Sequence, residues 1–298
     1  MATDTATDTA LLSPELRAQL RGLNLRSRRP PSAGPLGLNA SRRRGPGLEF
    51  SQHRGYEPGD EPRRIDWKLF ARSDRYFVRE SESEAALSLW VLLDHSASLG
   101  EEDASGRSKW ARARECAAAL IELATRQNDR FALVMAGDGR LRPGPLGSGP
   151  RHRDRCFGTL RQVQPAGLWP DASALETLFG LIPRESVVVQ IGDGFEPLAE
   201  KLACRLSAAG RDLRHLVLDT DIECEFALRG SLRLQDVETG AELALDAASA
   251  REDFTRRFRA ARREQAARLA AAGAIHVEHR IDAPAIGALR ALLPDRAR

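Results

Sequence analysis

ALSLWVLLDHSAS, residues 86–98, is the stretch whose reading decides the fold. Its first eight residues are apolar except for Ser88. That is the length of one strand and well short of the roughly 20 residues of a membrane span. A continuously apolar strand is one buried on both faces, as in a parallel sheet covered by helices. The run stops at Asp94, and Asp94-His95-Ser96-Ala97-Ser98 then gathers three oxygen-bearing side chains, Asp94, Ser96 and Ser98, in one loop. In doubly wound sheets ligands collect beyond the carboxyl ends of the strands, so this loop is the first candidate site.

Outward from this stretch the alternation repeats. Residues 131–136, 186–191, 213–218 and 275–280 read as further apolar strands. The helix after the first strand carries Trp110, Ala113, Ala117, Leu120, Ile121 and Ala124 on one face, and Gly137-Asp138-Gly139 predicts a hairpin into residues 140–142. Helices are expected over 151–163, 171–181, 196–208 and 283–293. The rhythm breaks at 226–245, which reads as an inserted hairpin turning at Glu238-Thr239-Gly240. A long helix follows, with Ser249 and Glu252 spaced as a capping box and Phe254, Phe258, Ala261 and Leu269 on one face. The expected fold is α/β: a doubly wound, mostly parallel, Rossmann-like sheet with an inserted β-hairpin. Residues 13–25 predict a short helix, but Arg28-Arg29-Pro30-Pro31 and Arg42-Arg43-Arg44 lie among glycines and prolines that resist packing. Residues 1–46 are therefore expected to form a flexible basic tail, 47–80 a separate segment and 81–298 the sheet domain. The tail reads as a solvated linker or a contact for an acidic partner; nucleic acid is not the expected partner.

D-x-S-x-S after the first strand, with Asp193 in Gly192-Asp193-Gly194 after the 186–191 strand, resembles the metal-ion-dependent adhesion site of von Willebrand factor A domains. Those domains are doubly wound and mainly bind ligands through the metal. The resemblance implies a site for Mg²⁺ or another divalent cation at Asp94, Ser96, Ser98 and Asp193. Mg²⁺ takes six oxygens and often keeps waters. Two neutral hydroxyls among the ligands would leave the ion spare positive charge for a partner's acidic group. The threonine of the pattern has no counterpart in Gly167-Leu168-Trp169-Pro170-Asp171-Ala172-Ser173. Asp171 or Ser173 can substitute there, and Asp171 equally suits a helix N-cap. The plain alternative is that Asp94 and the serines only cap the loop and the next helix.

A second constellation comprises Phe50, Arg54, Tyr56, Pro58-Gly59-Asp60, Arg63, Ile65-Asp66-Trp67 and Ala71-Arg72. Pro58-Gly59 fits the centre of a type II turn. Arg54, Arg63, Arg64 and Arg72 lie close to Asp60, Asp66, Asp74 and Glu80, which predicts an Arg–carboxylate network docked on the sheet domain, with Trp67 as a buried anchor. The string from Arg54 to Arg72 resembles, unbroken, the signature of the domain of unknown function 58 family, and the resemblance extends over residues 47–293. It implies partnership with MoxR-type AAA+ ATPases and other von Willebrand factor A proteins, in assemblies that mature or remodel proteins. The expected function is a non-catalytic interaction module. The rival is a metal-assisted hydrolase using Asp94 and Asp193, disfavoured because no general base or nucleophile accompanies the carboxylates.

The remaining features bound the reading. Cys116, Cys156, Cys204 and Cys224 have no C-x-x-C spacing and are expected as reduced thiols. Net charge is +3, and all but three of the 45 basic residues are arginine, through genome composition or for bidentate pairing. No apolar run approaches a membrane span and no signal-peptide pattern opens the chain, so a soluble cytoplasmic protein is expected. His276 and His279 are expected on opposite faces of one strand.

Overall fold

The structure, a computed structural model, describes residues 11–28, 50–57, 65–81, 86–103, 105–226, 228–235 and 241–294. The chain clusters into two compact units, one of residues 1–30 with 87–298 and one of residues 31–86.

The first helix, α1 (Pro14–Gln19), starts where Ser13 Oγ accepts from Leu16 N and Pro14 fills the first turn. Leu12, Leu16 and Leu20 form an i, i+4 row and are buried together with Leu25 in the core of the larger unit. Gln127 holds Leu25 through both backbone groups (2.7 and 3.2 Å). Arg28 Nε donates to Asp212 at 2.7 Å. Residues 11–28 are thus built into the sheet unit, which corrects the expectation of a loose tail there; residues 1–10 and 29–46 lie outside the described residues.

In the smaller unit β1 (Phe50–Gly55) pairs antiparallel with β2 (Phe77–Ser81), and α2 (Trp67–Ser73) lies between them in sequence. Asp66 caps α2, accepting from Lys68 N (3.0 Å) and Leu69 N (3.1 Å). Asp74, in the left-handed region at φ +53, ends it.

The larger unit is built on β3 (Ser88–Asp94), β4 (Arg130–Gly137), β5 (Arg140–Pro143), β6 (Val187–Gly192), β7 (Asp212–Asp219) and an edge strand at Ile275–Arg280. Between them run α3 (Lys109–Arg126), α4 (Pro150–Gln162), α5 (Ala172–Leu181), α6 (Pro197–Ala208) and α7 (Asp221–Glu225). The insertion follows: β8 (Ser231–Gln235) and β9 (Glu242–Asp246), an antiparallel pair, then α8 (Ala247–Ala271), β10 (Ile275–Arg280) and α9 (Ala285–Leu292). The expected turn at 238–240 lies outside the described residues. The start of α8 differs from expectation: Asp246, not Ser249, is the N-cap, accepting from Ser249 N at 3.0 Å.

The sheet order is β10-β7-β6-β3-β4-β5, parallel except for β5. The β4–β5 turn has positive φ at both Asp138 and Gly139, the twist-matched hairpin turn. Alternate side chains of the strands enter two cores. Leu89, Val91 and Leu93 pack with α1, α3, α4 and α9, whereas Trp90 and Leu92 pack with α5, α6 and Leu269 of α8. The fold is the expected α/β one, a doubly wound, mostly parallel sheet with an inserted hairpin. No helix among the described residues is long and apolar enough to cross a membrane.

Candidate functional site

Sequential strands β3 and β4 are neighbours, but β6 joins on the other side of β3. Connections leaving β3 and β6 therefore part in opposite directions, and the crevice outside their carboxyl ends is the topological switch point. Asp94 ends β3, and Gly192 ends β6 just before Asp193.

The loop after β3 folds on itself. Asp94 Oδ1 accepts from Ser96 N and from Ser96 Oγ, both at 2.8 Å, and Ser96 Oγ lies 3.1 Å from Ser98 Oγ. Neighbouring loops lock it: His95 N donates to Ala136 O (2.8 Å) and Ala97 N to Gly167 O (2.9 Å). His95 is buried at 1 % exposure, and a Cβ on Gly137 would stand 2.7 Å from its backbone. A Cβ on Gly192 would lie 3.0 Å from Asp94 Oδ2, tight enough that the carboxylate would have to give by a few tenths of an ångström.

Asp193 is 2 % exposed; its Oδ1 accepts from Phe195 N (3.2 Å), and its Oδ2 accepts no hydrogen bond from a described residue. Two side chains of α8 grip this loop. Arg262 donates to Asp193 O (2.7 Å) and to Asp219 Oδ1 (2.6 Å), and Gln265 donates to Gly194 O (2.7 Å). The guanidinium also lies against the Phe195 and Phe258 rings, 4.4 and 5.0 Å from their centres. Burial pushes Asp219 up to about 6, against the pull of Arg262. Beside this loop Lys109, fully buried, donates to Glu101 (2.8 Å) and Glu223 (2.6 Å). Glu223 is itself held by a capping box with Thr220.

Asp94, Ser96 and Ser98 thus come together, and the Gly192–Asp193 turn runs against Asp94. The set does not fit a resident divalent ion. The expected threonine has no stand-in: Asp171, exposed, caps α5, accepting from Ala174 N and Ser173 Oγ (3.0 and 2.7 Å). Apolar Trp169 lines the crevice beside Asp94 instead. Above all, the buried Lys109 ammonium already stands beside this turn, 5.6 Å from the centre of the ring of Phe195, two residues on from Asp193. Lys109, Arg262 and Glu223 escaped the sequence reading. The one signal for Lys109 is that a lysine, one of three in an arginine-rich chain, opens the helix after D-x-S-x-S.

Of the signature residues, Arg54 lies in β1 opposite Val78, and Tyr56 packs edge-on to Tyr76 (6.1 Å). Pro58, Gly59, Asp60 and Arg63 lie outside the described residues. Asp66 is the α2 cap, and Arg72 is exposed in its last turn. Trp67 is 58 % exposed. Its ring meets Phe70 and Tyr76 edge-on, and those two stack at 4.5 Å. The other expected pair behaves as read: His276 stacks on His215, while His279 lies beside Gly287 of α9.

The model of the family described as "Protein of unknown function DUF58" matches residues 52–267. The chain belongs to the DUF58 family. It is 31% identical over 279 residues to the uncharacterized protein Rv1480 of Mycobacterium tuberculosis (strain ATCC 25618 / H37Rv), covering 90% of this chain and 86% of that one. Uncharacterized protein Mb1516 of Mycobacterium bovis matches to the same extent. Among solved structures, this DUF58 chain is similar to an aerotolerance-related membrane protein from Bacteroides fragilis NCTC 9343, with TM-score 0.46 and 15% identity over 70% of this chain and 96% of that one. It is also similar to the conserved hypothetical protein BatB from Bacteroides thetaiotaomicron, with TM-score 0.42 and 14% identity over 65% and 91%. The SpRpn10 VWA domain gives TM-score 0.41 and 11% identity over 69% and 94%.

Proposed function

We propose that this DUF58 protein is a non-catalytic interaction module whose contact face is the rim at the carboxyl ends of β3 and β6, serving as accessory to a MoxR-type AAA+ ATPase that matures or remodels other proteins. The observation that carries the reading is the form of the switch point. Its crevice, lined by Asp94, Trp169, Gly192, Gly194, Glu200 and His215, has a volume of about 10 Å³. That is room for about one water, against the hundreds of cubic ångströms of a substrate pocket. Around it the loops are rigidly tied, and Leu168 and Phe195 project from them at 51 % and 52 % exposure. Exposed apolar anchors on a fixed frame suit docking of another protein. The ATPase as partner rests on the family resemblance.

The test mixes the purified chain with the MoxR-type ATPase of the same organism and measures association by calorimetry. Binding is expected, weakened at least about tenfold by Leu168→Asp, a loss of about 1.4 kcal/mol or more, with Tm unchanged. No association would overturn the partnership. A hydrolase activity lost in Asp193→Asn would favour the enzymatic rival.

A further inference from the structure

The positive charge at the switch point is supplied by the chain itself. Lys109 is the first residue of α3, placed there by the Ser108 cap. Its side chain is 0 % exposed, a rare environment for lysine. Nζ bridges Glu101 Oε2 at 2.8 Å and Glu223 Oε1 at 2.6 Å, and stands 5.6 Å from the centre of the Phe195 ring. Burial pulls the ammonium toward its neutral form, but Glu223, Asp193 and Glu101 outweigh it and hold Lys109 above its ordinary value.

The position of this ammonium is what gives it meaning. Glu101 belongs to the connection after β3, Asp193 to the turn after β6 and Glu223 to α7 after β7. One cation thus bridges carboxylates from the connections after β3 and β7 and stands 5.6 Å from the centre of the Phe195 ring in the turn after β6, so it reaches both loops that a divalent ion would join. We propose that the Lys109 ammonium takes the cation's part at this adhesion-type site, so that the rim is organised without metal. The missing threonine agrees, since a site that holds no ion needs no further oxygen ligand. The partner chemistry changes as well. A divalent ion short of negative ligands offers charge to a partner's acid. Lys109 is enclosed and outnumbered by carboxylates, so it offers none, and the partner's contact group is not a carboxylate.

The experiment titrates the full-length wild-type chain with Mn²⁺ and Mg²⁺ and follows binding heat and Tm. Neither is expected to change. Lys109→Met, which keeps the aliphatic stem and removes the charge, is expected to lower Tm and to acquire Mn²⁺ binding that restores part of the loss; adding Asp193→Asn should abolish the gain. Three results would overturn the proposal: wild type binds Mn²⁺ and Asp94→Asn removes that binding; Lys109→Met melts as wild type does; or folded Lys109→Met ignores Mn²⁺. If Lys109→Met does not fold, Lys109→Met with Glu223→Gln, which removes both charges of one pair, is read by the same three criteria. Because the readout is metal binding by the isolated chain, its outcome is separate from that of the ATPase partnership.

Discussion

Two buried side chains of β7, His215 and Asp219, respond to acid in opposite directions. His215 Nδ1 lies 3.1 Å from His276 Nδ1, with Glu278 at 3.4 Å from the far side of the His276 ring and Arg262 and Glu200 nearby. Burial, helped by His276 and Arg262, pulls His215 from 6.5 down to about 3. The unfolded chain therefore binds the extra proton first, and this contribution to stability is lost as pH falls below about 6.5. Asp219 is raised from 3.8 to about 6, so between those values the folded state holds the extra proton and stability falls as pH rises. His215→Phe should flatten the acid loss between pH 6 and 4 by up to about 1.4 kcal/mol per pH unit, whereas Asp219→Asn should steepen it. Urea melts across that range check both signs; parallel profiles for the two variants would refute the assignment. Backbone strain gives a second residue-scale prediction. Gly194 has φ +74, and a Cβ there would meet Arg262 Nη1 at 2.7 Å and Val217 at 2.9 Å. Gly194→Ala should cost about 1–3 kcal/mol, seen as a lowered Tm. The sequence showed the glycines flanking Asp193 but not what presses on them, because Arg262 and Gln265 come from a helix about 70 residues away in the chain.

At the scale of elements, the alternation of strands and helices was readable because β3, β4 and β6 are short, nearly continuous apolar runs and helices such as α3 have an apolar face. The N-terminal segment was misread for a physical reason. Leucines at 12, 16, 20 and 25 do mark a buried face, but the arginine, glycine and proline content that follows dominates the composition. What decides the outcome is tertiary: Arg214, buried in β7, donates to Leu292 O (3.0 Å) and Asp212 (2.9 Å), and also to Arg26 O. Arg28 joins the same Asp212. Asp212 thus satisfies two guanidiniums and lashes the segment to the sheet. Leu16→Ala should lose about 2–5 kcal/mol, the range for a buried leucine, and a chain beginning at residue 29 should unfold at lower urea. A full-length chain that trypsin trims to residue 29 without loss of stability would show the segment to be dispensable. The α2 cap at Asp66 was hidden similarly: Ile65-Asp66-Trp67 invites a reading of Asp66 as a pinned ionic group, and the sequence does not show that its carboxylate accepts from Lys68 N and Leu69 N to start the helix.

For the whole molecule, the insertion after β7 is the element that ties the architecture to its rim. The β8–β9 hairpin interrupts the strand–helix rhythm, and α8 then returns across the sheet before β10 completes the edge. From the middle of α8 Arg262 reaches both the carbonyl of Asp193 after β6 and the carboxylate of Asp219 at the end of β7. Both members of the Arg262–Asp219 pair are buried, at 6 % and 4 % side-chain exposure. A buried pair of this kind adds little net stability over apolar residues, but removing one partner strands the other charge at a cost of about 3–5 kcal/mol. Arg262→Met should therefore destabilise the larger unit by that order and free the Gly192–Phe195 turn. Asp219→Asn in the same chain should recover part of the loss, because the stranded charge is gone, with a coupling energy of about 0.5–3 kcal/mol in the double-mutant cycle. The turn itself should remain released in the double variant, since Asp193 O still lacks its donor. Amide exchange at residues 193–195 then separates the two effects: stability recovers while protection does not. Recovery of both together would mean that Arg262 acts on the rim only through Asp219, and the direct clasp on Asp193 would carry no weight.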